Sequence, residues 1–155
     1  MNSTKLIGKI FAPRQREIDL YGTKAEEIQA RVFRKLIQSA SATEWGKKYD
    51  FSQIRNYTDF QRVPIQTYED VKGYVDRMRH GEKDVLWPGK VIWYAKSSGT
   101  TNDKSKFIPV SPEGLKGIHY RGGTDAVALY LRENPESRFF SGKGLICLLY
   151  TSDAA

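Results

Sequence analysis

The stretch Val91-Ile92-Trp93-Tyr94-Ala95-Lys96-Ser97-Ser98-Gly99-Thr100-Thr101-Asn102-Asp103-Lys104-Ser105-Lys106-Phe107-Ile108-Pro109-Val110 decides how this chain folds. Its two ends, Val91 to Ala95 and Phe107 to Val110, are β-branched and aromatic, so each predicts a strand, and the polar middle predicts the tip of a strand-loop-strand unit. Gly99 lets the backbone bend inward, and successive amides around it are suited to a concave anion nest. Ser97, Ser98, Thr100 and Thr101 add hydroxyl donors, and Lys104 and Lys106 bring positive charge to the open end. Composition alone favours a plain solvated hairpin tip, because the same residues are turn formers.

To the right of this unit, Ser111-Pro112-Glu113-Gly114 carries the signals of a helix start: a capping hydroxyl, proline in the first turn and an acidic residue after it. Leu115, Ile118, Val127, Leu129 and Leu131 continue it, with Gly122-Gly123 in the middle. Two glycines inside a helix cost about 2 kcal/mol against alanine, so a kink or a close backbone neighbour is expected there. Asn134-Pro135 closes the segment, and Leu145 to Leu149 is expected to be a buried strand, with Gly142-Lys143-Gly144 as the turn leading into it.

To the left, Asp84 to Gly89 is expected to be a loop, and Thr67 to Arg79 a helix whose Thr67 and Asp70 stand in capping-box register. Tyr57 to Arg62 predicts a short helix ended by Pro64, and Ala42 to Phe51 a helix exit and loop. Ile28, Val32, Leu36 and Ala40, widened by Phe33 and Ile37, predict one amphipathic helix over Thr23 to Thr43, capped by Thr23 with Glu26.

The chain has 155 residues, 39% hydrophobic, enough for one domain with a core. Its 25 basic and 18 acidic residues give +7, which suits anionic ligands, nucleic acid or an acidic surface alike, but the cations are interspersed with carboxylates and form no basic arm. The single Cys147 sits in an apolar run and excludes an internal disulfide. With no leader-like or membrane-length apolar segment, a cytoplasmic location is expected. Only His80 and His119 are present, without ligand-spaced neighbours, so no metal site is expected. There is no Gly-x-x-x-x-Gly-Lys-Ser/Thr loop, and no Gly-x-Ser-x-Gly elbow that would make His119 and Asp125 part of a hydrolase triad. Glu82, Asp84 and Glu113 are better explained by solvation or capping than by acid-base work.

The order of residues adds what composition cannot. Ser97-Ser98-Gly99-Thr100-Thr101, followed by Lys104-Ser105-Lys106 and Ile108-Pro109, resembles the phosphate loop of the GH3 family of acyl-acid amido synthetases, within the adenylate-forming ligases. Val63-Pro64-Ile65-Gln66-Thr67-Tyr68-Glu69-Asp70, His80-Gly81-Glu82 and Leu86-Trp87-Pro88-Gly89 are similar to the segments leading into that loop. His119-Tyr120-Arg121-Gly122-Gly123-Thr124-Asp125 and Ser141-Gly142-Lys143-Gly144-Leu145 follow in the family's order.

The resemblance implies an α/β fold, the N-terminal part of a large adenylate-forming domain in which helices pack on a mixed sheet. It implies a partial domain over residues 1–149, with the phosphate loop at 96–109, and a non-native tail at 150–155. ATP and Mg²⁺ are the implied cofactors, the Mg²⁺ ligands not being identifiable, and a carboxylic acid plus an amine or amino acid the implied partners, with neither nucleic acid nor membrane. The reaction implied is activation of the acid as an acyl-adenylate followed by amide formation, with the chain inactive by itself. Ser97, Ser98, Gly99, Thr100 and Thr101 would cradle phosphate, Lys104 would assist, and Lys106 would be the catalytic cation for departing pyrophosphate. Asn102-Asp103 departs from the glycine common after the hydroxyl pair and places a carboxylate beside phosphate. The alternative is a non-enzymatic phosphate- or RNA-binding module, although the aromatic residues do not alternate with arginine as a base-stacking surface would.

Overall fold

The computed structural model describes residues 3–97, 105–141 and 143. They fall into two compact units, residues 29–112 forming one and residues 3–28 with those from 113 onward forming the other. The described residues are mostly helical and contain one two-stranded antiparallel sheet, an arrangement compatible with the α/β class. Among the described residues no mixed sheet is formed, and the strand expected at Leu145 to Leu149 lies outside them.

In the unit of 29–112, helix α2 (Ala25–Ala40) supplies its C-terminal part, and Thr43 then caps a short α3 (Glu44–Lys48). The Thr43 hydroxyl donates to the Ala40 carbonyl at 2.6 Å and accepts from the Gly46 amide at 3.0 Å. The next amides, Glu44 and Trp45, donate to the carbonyls of Asp84 and Val85 at 2.8 and 3.0 Å, so the loop 84–85 satisfies donors that a helix start otherwise leaves unpaired. A helical turn therefore stands where the sequence predicts only an exit loop. A 3₁₀ turn (Phe51–Gln53) and α4 (Tyr57–Phe60) follow.

Helix α5 (Tyr68–Arg79) starts at the expected Thr67–Asp70 capping box and stops before Gly81, whose φ of 92° is a left-handed conformation that glycine adopts without strain. Ile37, Ala40, Phe51 and Ile54 form one buried cluster, joined by Phe33, Phe60 and Trp87; Met78, Val85 and Val91 form a second, against Tyr74, Tyr94 and Trp87. Val91, expected to open the first strand, instead fills this second core ahead of it. The strands are β1 (Trp93–Lys96) and β2 (Phe107–Val110), with Trp93 opposite Val110 and Lys96 opposite Phe107.

In the other unit, α1 (Ser3–Thr23) pairs with α7 (Arg121–Glu133). Ala128 and Leu131 are buried, and the Gln15 side-chain amide donates to the Ala128 carbonyl at 2.8 Å. The Arg14 guanidinium grips the Asp125 carboxylate through Nε at 2.6 Å and Nη2 at 2.7 Å, and Arg132 reaches Asp19 at 2.7 Å. Pro112 begins the next helical turn, α6 (Pro112–Gly114), as expected, and a π-helical stretch (Leu115–Tyr120) leads into α7.

Two local expectations change. Thr23 does not cap a helix; it ends α1, and its hydroxyl meets the Leu20 carbonyl at 3.5 Å. Gly122 and Gly123 lie within α7, with no atom near where a Cβ would stand, so no backbone crowds them; the irregular turn lies just upstream, in the π-helical stretch.

Candidate functional site

The neck of the polar loop is built by the last residue before its tip and one of the first after it. The Ser97 amide donates to the Lys106 carbonyl at 2.9 Å, and the Lys106 amide donates to Ser97 Oγ at 3.0 Å. Ser97 therefore commits its own N–H to the hairpin, while its hydroxyl keeps its proton to donate. Of the residues expected to hold phosphate, Ser97 and Lys106 meet at this neck; Ser98, Gly99, Thr100, Thr101 and Lys104 lie outside the described residues.

Beneath the neck, the outer edge of β2 is closed by a side chain from α5. The Phe107 amide donates to the Tyr68 hydroxyl at 3.0 Å, and that hydroxyl lies 3.4 Å from the Phe107 carbonyl. Tyr68 is the first helical residue after the Thr67 cap, so the capping box fixes where its ring begins. Lys106 Nζ sits 5.6 Å from the centre of the Tyr68 ring, within cation–π range. The Phe107 ring gathers two more cations: the Arg79 guanidinium stacks 3.7 Å from its centroid, and Lys96 Nζ lies at 6.0 Å. Three positive side chains thus stand around two aromatic rings at the base of the loop. Arg79 also pairs with Asp76 at 3.4 Å, which offsets part of that charge; the cations left over attract anions.

Tyr68, Phe107 and Arg79 carry no role in the sequence reading. Tyr68 falls inside a motif recognised only as a run, and Arg79 looks like one more dispersed cation. The signal that would have flagged Tyr68 is its register: an aromatic residue directly after a helix cap, 39 positions before the strand it braces.

The carboxylates set aside as acid-base groups have structural partners. Glu82 and Glu44 both pair with Arg77, Arg77 Nε reaching Glu82 at 2.7 Å and its Nη1 reaching Glu44 at 3.1 Å; both carboxyls are held below their ordinary range by that guanidinium. Asp84 accepts the Gly89 amide at 2.7 Å and so closes the 84–89 loop. Asp125 is held by Arg14, and the His119 ring meets Tyr120 instead. Among the described residues no group of three or more His, Cys, Asp or Glu side chains is placed to hold a metal ion. A cavity of about 380 Å³ lined by Arg34, Ile37, Phe51, Ile54 and Arg55 shares no residue with the loop neck. No described helix is long and apolar enough to cross a membrane.

These features belong to a known class of protein. The chain is a member of the GH3 family: residues 14–154 match the GH3 family N-terminal domain. It is similar to two Arabidopsis thaliana proteins, indole-3-acetic acid-amido synthetase GH3.15, 30% identical over 95 residues, and indole-3-acetic acid-amido synthetase GH3.17, 31% identical over 97, each alignment covering 61% of this chain. It is also similar to jasmonoyl-L-amino acid synthetase JAR4 of Nicotiana attenuata, 28% identical over 99 residues and 63% of this chain. The alignments span only 16–17% of the length of these relatives.

Proposed function

We propose that this chain is the phosphate-handling part of an amide-forming ligase that first activates a carboxylic acid with ATP. In the first step a carboxylate oxygen of the acid forms a bond to the α-phosphorus as the bond to the bridging oxygen breaks, and pyrophosphate leaves. In the second, an amine nitrogen attacks the acyl carbon, AMP departs with the electrons of the broken C–O bond, and the amine proton is lost. Such a displacement needs fixed donors and cations around the charge that develops on the departing oxygens more than it needs covalent help.

The observation that carries this function is the closed neck between Ser97 and Lys106 in a chain of the GH3 family, with Lys106 held over Tyr68 where the polar tip begins. Ser97, Ser98, Gly99, Thr100 and Thr101 would receive the phosphates, Lys104 would assist, and Lys106 would meet the leaving pyrophosphate. ATP as co-substrate is supported by the amido synthetase relatives. Mg²⁺ would accompany ATP, held largely by the phosphates themselves.

The acid and the amine are small molecules; the relatives named for indole-3-acetic acid and for jasmonoyl-amino acids define the class to test first. The phosphate loop is assigned to residues 96–109 of the region, 14–154, that matches the family's N-terminal domain. The hairpin is assigned to the larger mixed sheet of the whole enzyme, a role supported by Trp93 and Ile108, each 52% exposed on the same face of the two strands.

The deciding experiment is ATP–pyrophosphate exchange by the full-length protein with a panel of carboxylic acids that includes indole-3-acetate and jasmonate. Acid-dependent exchange is expected, and Lys106→Ala is expected to slow it at least about tenfold, the scale of one preorganised group aimed at developing charge. Absence of exchange with every acid, together with salt-dependent retention of RNA by the same protein, would replace the ligase by a nucleic-acid-binding module.

A further inference from the structure

We infer that Tyr68 is a positioning residue for Lys106, and that the Tyr68–Phe107 pair is the base on which the loop's cations are set. The inference rests on the phosphate-handling role proposed above and adds to it the part that holds the lysine in place.

The argument begins with the chain edge. Phe107 stands opposite Lys96, at the end of a two-stranded ribbon, and its amide and carbonyl face away from the partner strand. An unpaired strand edge must be met by water, another strand or a side chain. Here one phenol hydroxyl serves both groups, accepting from the amide at 3.0 Å and standing 3.4 Å from the carbonyl. The ring carrying that hydroxyl is rigid, with only two rotatable bonds, and its start is fixed by the Thr67–Asp70 cap. Asp70 accepts from both the amide and the hydroxyl of Thr67, at 2.7 and 2.6 Å.

Lys106 directly precedes the braced residue. Its backbone is locked to Ser97 on one side and adjoins the Tyr68-bound amide on the other, while its ammonium rests 5.6 Å from the centre of the same ring. A lysine on a bare loop has four free side-chain torsions, and freezing them costs on the order of 2 kcal/mol when it binds an anion. A ring face that already holds the ammonium removes part of that cost and leaves its N–H bonds on the outer side free for phosphate oxygens. The ring of the next residue, Phe107, carries Arg79, stacked at 3.7 Å and also paired with Asp76, and Lys96 at 6.0 Å. The ammonium of Lys106 on the Tyr68 ring is thus set to meet a phosphate oxygen, for which inorganic tripolyphosphate is the probe.

The test uses the 155-residue chain, inorganic tripolyphosphate as the probe, and two readouts. The first is the chemical shift of the Lys106 ε-methylene protons, moved upfield by an aromatic ring current. The shift is expected in the parent and in Tyr68→Phe, and its loss in Tyr68→Leu; an unchanged shift in Tyr68→Leu overturns the inference.

The second is the dissociation constant measured by calorimetry in a double-mutant cycle. Tyr68→Leu is expected to weaken tripolyphosphate binding about fivefold in the parent but to change nothing further in a Lys106→Ala background. Equal losses in both backgrounds would mean that Tyr68 only supports the fold, and would overturn the positioning role alone. A Lys106→Ala chain that binds as tightly as the parent would overturn the phosphate role itself, and the inference with it. Should Tyr68→Leu fail to fold by circular dichroism, Tyr68→Phe keeps the question open to measurement: faster hydrogen exchange at the Phe107 amide and about twofold weaker binding are expected, and no change in either overturns the brace.

Discussion

Ser97 and Lys106 hold each other twice, once through the Ser97 amide and the Lys106 carbonyl at 2.9 Å and once through the Lys106 amide and Ser97 Oγ at 3.0 Å. The second bond belongs to a side chain, so it can be removed without touching the ladder. Ser97→Ala leaves the half-buried Lys106 amide without its acceptor, at a cost of about 1 kcal/mol. Hydrogen exchange at that amide is expected to quicken about fivefold while exchange in α2 stays as it was. Unchanged protection at Lys106 would show that the hydroxyl does not close the neck.

Gly46 has a stricter demand on it than any residue of the loop neck. A Cβ built on Gly46 would stand 2.1 Å from the Ala40 carbonyl oxygen, and that oxygen already accepts the Thr43 hydroxyl. The obstruction is backbone, so it cannot rotate away as a long side chain would. Gly46→Ala is expected to destabilise the protein by about 2–3 kcal/mol, the range of a forced backbone shift in a packed turn. Urea unfolding measures it, and a loss below about 0.5 kcal/mol would contradict the close approach.

Acid should loosen the α1–α7 pair. Asp125 takes two hydrogen bonds from Arg14, and that guanidinium holds its carboxyl below the ordinary carboxylate range. A carboxyl whose folded value lies below its unfolded value of about 3.9 adds stability at every pH above that unfolded value. The contribution fades as pH falls through the lowered folded value, because the folded state must then take up the proton. Asp125→Asn is therefore expected to cost about 1–3 kcal/mol at pH 7 and progressively less as the pH falls below about 3.9, with the two unfolding curves converging as the pH drops. Curves that remain parallel down to pH 2 would deny the ion pair a share in stability.

How much of this was legible depended on whether the signal was local. The capping box at Thr67 and Asp70, the proline start at Pro112 and the stop at Gly81 are written within a few residues, and each stands where the sequence puts it. Helix α1 is not legible in that way. It contains Pro13, its apolar residues gather only weakly on one face, and what holds it is Asp125 and Ala128, more than 110 positions away. The strand start was misjudged by two residues for a similar reason: Val91 and Ile92 have strand chemistry, but Val91 is 2% exposed in the core with Met78 and Val85, a packing demand no propensity records. At the site, the meeting of the Ser97 and Lys106 ends of the hairpin could be read from the two apolar runs beside them, whereas Tyr68 and Arg79 reach Phe107 only once α5 lies along β2.

Asp103 offers a last test, one that rests on charge and needs no geometry of the tip. It stands between the hydroxyl pair and Lys104, with Asn102 before it. A carboxylate close to bound phosphate opposes it, and an exposed like-charge contact of this kind is worth up to about 1 kcal/mol. Asp103→Gly is accordingly expected to tighten ATP binding about threefold at low salt. An effect carried by charge should shrink as ionic strength rises to about 0.5 M and the screening length falls to a few ångströms. Tighter binding that persists unchanged in salt would point to a conformational cause in the new glycine, and weaker binding would mean that Asp103 serves the nucleotide, through a cation or a hydrogen bond, instead of resisting it.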